Sequence, residues 1–100
     1  MQISDRETKV VITVTSGQCL ALWRGLEPYH ALGRRTFVLD LSRCEFLNSV
    51  NVAAILIARS KLAGVGATLT VVGLTPRMQA IFRALRLERI FELNLPVTAV

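Results

Sequence analysis

Few side chains in this 100-residue chain can do chemistry, so their spacing decides what chemistry is open to it. His30 is the one histidine, and it falls in a stretch of mixed propensity. Cys19 and Cys44 form no CxxC pair and have no Cys/His cluster around them, so a zinc site is not indicated. They read as reduced, packed thiols. Nucleophilic catalysis needs an activated group with a base beside it, and no Gly-x-Ser-x-Gly elbow occurs. Gly64-Val65-Gly66 closes a helix instead of opening one, so it is no phosphate loop. Asp40 and Glu45 are the one candidate carboxylate pair, but Asp40 ends an apolar strand and Glu45 falls in a loop. The expectation is no enzyme, no catalytic residue, no metal and no cofactor.

Ser49 is different, because the spacing places it at the start of a helix. A helix N-terminus carries unsatisfied N–H groups and the positive end of the dipole, so a phosphate is locally favourable there. Phosphorylation would add roughly −1.5 to −2 charges beside Leu47, Val50 and Val52. That is the chemistry of a switch at a protein contact. The plainer role is an N-cap, supplied by Asn48 or Ser49.

The elements that must position Ser49 follow from periodicity. Residues 1–4 and 9–15 are β-leaning segments around a polar stretch, which predicts a hairpin. Residues 10–15 are β-branched throughout and suit a strand buried on both faces. Over 19–32, Leu22, Leu26 and Tyr29 have helical spacing, while Gly25 and Pro28 oppose a helix interior. A short or broken helix, with Pro28 opening a second turn, is expected; a strand over 19–23 is the alternative. Residues 36–41 form a compact strand, 49–63 a helix apolar most of the way round, and 68–72 a further strand. Thr75-Pro76 caps a helix over 76–87, whose core stripe is Met78, Ile81, Phe82 and Leu85. Residues 91–95 complete a short last strand. This order predicts one α/β domain over 1–100: a small mixed sheet of about four to five strands, with helices packed mainly on one side.

Composition bounds the rest. At 52% hydrophobic and 19% charged the chain can bury a core, which excludes disorder. Apolar runs are broken before the ~20 residues of a membrane span, and the N-terminus has no signal-peptide layout, so the cytoplasm is the expected compartment. Twelve basic against seven acidic residues give a net charge of +5. Such a surface suits acidic partners, yet no recognition helix or stacking motif supports nucleic-acid binding.

Residues 38–59 run from an apolar strand through Asp40-Leu41-Ser42 and Phe46 to Asn48-Ser49-Val50-Asn51-Val52 and a strongly apolar helix. This segment resembles the STAS domain of bacterial anti-sigma-factor antagonists and of sulfate-type anion transporters. The glycine turn at 64–66, the strand and Pro76 helix after it, residues 83–91 and the first hairpin extend the likeness over nearly the whole chain. The resemblance implies a transcription-regulatory binding module, with Ser49 in the place of the serine that antagonists present to a partner kinase. The departures are Asn48 for the usual aspartate, Val50 after the serine, and Asn51 for the usual glycine. Asn51 would have to tolerate a left-handed turn. Asn48, Ser49, Val50, Asn51, Val52, Ala53 and Ile57 are the expected partner-binding residues. The implied partner is an anti-sigma factor or serine kinase. The alternative is a STAS subunit that needs no phosphate cycle, either beside a lipid-transport ATPase or in a stressosome-type scaffold. A second copy of the chain is also open as a partner.

Overall fold

The computed structural model describes residues 1–6 and 8–91. Strands β1 (Gln2–Asp5), β2 (Val10–Thr13), β3 (Thr36–Asp40) and β4 (Thr68–Val72) form one mixed sheet in the order β1-β2-β3-β4. β1 and β2 are the antiparallel hairpin, and β2, β3 and β4 run parallel. The register lines up Val10, Phe37 and Leu69 in one row and Ile12, Leu39 and Val71 in the next. All six are buried. Because side chains alternate along a strand, the residues between them point the other way. There Val11, Thr13, Val38 and Asp40 are half-buried, and Thr68, Thr70 and Val72 are exposed. The β-branched run of β2 is therefore buried on one face only. Branching suits a pleated surface whether or not a second layer covers it.

Residues 16–31 are helical, so the strand alternative over 19–23 fails. A 3-10 helix (Ser16–Ala21) passes directly into α1 (Leu22–Ala31). The break lies at this junction and not at Pro28, which stays inside α1. Pro28 and Arg24, whose carbonyl it leaves without a donor, are both on the exposed side, where water can serve. Gly25 has a packing reason: a Cβ there would meet Met1 Sδ at 2.6 Å and Ile12 Cδ1 at 3.3 Å. Its absence lets α1 lie close over the hairpin.

Helix α2 (Ser49–Ala63) has the expected bounds and buries Asn51, Val52, Ile55, Ala58 and Leu62. α3 (Pro76–Ala84) begins as expected, with Thr75 Oγ1 accepting the Met78 N–H at 3.2 Å. It ends before residue 87, because Arg86 takes a left-handed conformation at φ 57° and starts the short α4 (Leu87–Ile90). Leu85 consequently swings out of the core stripe to 54% exposure, and Leu87 and Phe91 fill the core instead. Phe91 packs against Phe82 at 5.9 Å between ring centroids, under the Arg59 guanidinium. Phe91 is not part of a strand, and the rest of the strand read over 91–95 lies outside the described residues.

Candidate functional site

The start of α2 is set by two asparagines. Asn48, extended at φ −102°, accepts the Asn51 N–H on its side-chain oxygen at 2.8 Å. Asn51 returns the bond, its Oδ1 accepting the Asn48 N–H at 3.1 Å. This reciprocal pair is a capping box, which satisfies two helix-end donors at once. Asn48 is thus the cap and Ser49 the first helical residue. Asn51 lies in the first turn with ordinary helical backbone, so the left-handed turn expected of it does not occur.

Asn51 and Val52 are also not surface residues, being 5% and 8% exposed. Asn51 Nδ2 donates to the Ser16 carbonyl at 3.0 Å, tying α2 to the 3-10 helix. Both residues lie beneath the exposed side chains of the first turn of α2.

Ser16 holds the loop before α2. Its Oγ accepts the N–H groups of Glu45 and Phe46 at 3.0 and 3.1 Å and donates to the Phe46 carbonyl at 3.0 Å. One proton and two lone pairs are then fully used. Cys44 Sγ lies 3.3 Å from the same hydroxyl. Cys19 Sγ donates to the Thr15 carbonyl at 3.7 Å. Burial, reinforced by the neighbouring Cys44 thiol, pushes the Cys19 thiol up to about 11. Both cysteines are free and buried, which makes them packing groups and not nucleophiles.

Above this anchor runs an open groove of about 320 Å³. Leu20 and Trp23 line it from one side; Val50, Ala53, Ala54 and Ile57 line it from α2, with Ser49 among them. Leu20, Val50 and Ile57 are 72%, 51% and 53% exposed. At the far end the Lys61 ammonium lies 5.5 Å over the Trp23 ring. The Ser49 hydroxyl and the N–H groups of Ser49 and Val50 make no hydrogen bond among the described residues. Of the seven expected partner-binding residues, Ser49, Val50, Ala53 and Ile57 line the groove, and Asn48 is exposed beside it. Sequence reasoning missed Leu20, Trp23 and Ala54. A signal existed for the first two: both are bulky, apolar and three residues apart, off the Leu22–Leu26 stripe.

The arrangement can bind apolar surface. Among the described residues no group of three or more Cys, His, Asp or Glu could hold a metal, and no helix is long and apolar enough to cross a membrane. Asp40 serves its own turn, its Oδ1 accepting the Ser42 N–H at 2.9 Å.

Comparison with known proteins fits this architecture. The phosphorylated Bacillus cell-fate determinant SpoIIAA aligns at 17% identity and TM-score 0.65, over 88% of this chain and 85% of that one. A sulfate transporter family protein from Wolinella succinogenes aligns at 12% identity and TM-score 0.68, over 81% and 69%. A third structure, of Mglu, aligns at 21% identity and TM-score 0.62 over 77% of this chain, which spans only 20% of that protein's length. At these identities the likeness is one of fold. No curated protein matches the chain. The family described as "Mlab, STAS domain" matches residues 2–95, which include every element described above, and the chain belongs to that STAS domain family.

Proposed function

We propose that the chain is a regulatory binding module without catalytic activity, which meets a protein partner through the groove beside Ser49. The observation that carries this reading is the cluster of Leu20, Val50 and Ile57, each more than half exposed, around one groove. Scattered apolar residues on a surface mean little, but a contiguous patch marks an interaction site.

In the first reading the partner is an anti-sigma factor or its serine kinase, in a bacterial cytoplasm, and Ser49 is the switch. SpoIIAA is described in both phosphorylated and unphosphorylated forms, which supports carrying the idea to Ser49. The free N–H groups of Ser49 and Val50 and the helix dipole favour a phosphate there. The same phosphate would place charge against an apolar contact, at a cost of a few kcal/mol, or on the order of a hundredfold in affinity. In the second reading the chain is a STAS subunit of a lipid-transport ATPase. The neutral Asn48–Asn51 box, which completes the start of α2 without a phosphate, favours it.

The test uses the proteins encoded beside this gene. Incubation with a neighbouring anti-sigma kinase and ATP, followed by phosphopeptide mapping, yields phosphate on Ser49 and release of the partner under the first reading. Stable binding of an unmodified chain to a neighbouring transport ATPase supports the second. If neither neighbour binds, the module reading fails.

A further inference from the structure

The groove has a direction. The Asn51–Ser16 bond pins the start of the 3-10 helix to the first turn of α2. The Lys61–Trp23 contact pins the start of α1 beside the last turn of α2. The groove therefore follows α2 from Ser49 to Ile57, about 12 Å at ~1.5 Å per residue, with Lys61 one turn beyond. Bulky Val50 and Ile57 flank small Ala53 and Ala54, which leaves room for a large side chain from an opposing element.

The walls restrict what can lie there. They are helical, so apart from the N–H groups of Ser49 and Val50 at the start of α2 their backbone groups are spent internally and offer no edge for an added strand. An occupant must satisfy its own backbone, as a helix does. A small apolar molecule would find few polar groups to orient it, the hydroxyl and free N–H groups at the Ser49 end and the Trp23 indole, and no charged side chain in the lining.

Charge narrows the choice further. Neither the 3-10 helix nor α2 contains a single Asp or Glu, α2 carries Arg59 and Lys61, and α1, which supplies Trp23, balances Glu27 with Arg24. The positive N-terminus of α2 has no acidic residue in its first turn. One end of the groove is thus the positive pole of a helix and the other an ammonium. A second copy of a +5 chain, groove to groove, would bring like charges together.

Resting on the docking reading above, we infer that the groove receives an acidic amphipathic α-helix of the partner protein, about three turns long. Its apolar residues recur at i, i+4 and i+7 over Val50, Ala53–Ala54 and Ile57. Its carboxylates meet Lys61 and the start of α2.

Trp23 is the one tryptophan of the chain and lines the groove, so its fluorescence reports occupancy. The probe is a capped peptide of about fourteen residues without aromatics, with leucines at i, i+4 and i+7 and flanking glutamates. It should shift Trp23 emission saturably. The same peptide with lysines for glutamates should bind at least ~10-fold more weakly, and Lys61→Glu should narrow that difference. Ile57→Glu, with unchanged circular dichroism, should abolish the shift. Equal binding of acidic and basic peptides, equal binding of a leucine-scrambled peptide, or no shift with any of them overturns the proposal. If Ile57→Glu also loses the natural partner while no peptide binds, the docking reading stands and the acidic helix falls. If Ile57→Glu keeps the natural partner, both fall.

Discussion

Asn51 reaches across 35 residues of sequence to donate its side-chain amide to the Ser16 carbonyl at 3.0 Å. The same amide oxygen closes the capping box with Asn48. One residue therefore fixes where α2 begins and how the 3-10 helix lies beside it. The groove between Leu20 and Val50 lies beside that bond.

Asn51→Ala should strand the Ser16 carbonyl and open the capping box, lowering stability by about 1–3 kcal/mol. Asn51→Asp should cost more. It keeps an acceptor for Asn48 but turns a carboxylate oxygen toward the Ser16 carbonyl, in a site that is 5% exposed. Urea unfolding checks both, through a lower midpoint at unchanged slope. Asn51→Asp as stable as wild type would contradict the assignment.

The cap is Asn48 and not Ser49, and the two alanine variants should differ accordingly. Asn48→Ala should lose about 1 kcal/mol. Ser49→Ala, at an exposed hydroxyl without a hydrogen bond, should stay within about 0.5 kcal/mol of wild type. Ser49→Asp should be neutral or stabilising by a few tenths to about 1 kcal/mol, because it brings negative charge to the positive end of α2. Melting curves in low salt separate the three. A larger loss at Ser49 than at Asn48 would reverse the assignment.

Much of this was legible in the sequence. The capping pattern around 48–51, the glycines after α2 and Thr75-Pro76 before α3 are local signals, and the structure places those helix starts as read. The inward turn of Val52 follows the helical spacing it shares with Ile55 and Leu62, but that of Asn51 was not legible. It depends on Ser16, whose position beneath α2 is set by the parallel crossover and by no local pattern. Leu20 lies in the 3-10 helix, whose different helical phase takes it off the stripe of α1, and Trp23 lies on α1 beside the buried Leu22–Leu26 stripe, so the residues that mark the core do not mark either. The early end of α3 turns on Arg86 accepting a left-handed backbone, a residue type that gives no warning of it.

Cys19 gives a pH signature. Burial first, and Cys44 second, raise its thiol from 9.0 to about 11, so the folded chain keeps a proton that the unfolded chain has lost. The contribution to stability is full below pH 9 and fades as the pH rises from 9 toward about 11. Melting temperature against pH should fall more steeply over that window in wild type than in Cys19→Ala. Equal slopes would show that the thiol is not held in its neutral form by the fold.

The central claim is that the partner docks on the groove face and not on the open face of the sheet. Calorimetric titration of the natural partner into wild type, Ile57→Glu and Thr70→Glu tests it most directly. Ile57 is on the groove and Thr70 is on the exposed sheet face, and both positions tolerate a charge without burying it. Ile57→Glu should weaken binding on the order of a hundredfold, the cost of a charge in a desolvated contact, while Thr70→Glu binds as wild type. Full affinity in Ile57→Glu, or loss confined to Thr70→Glu, would contradict the account.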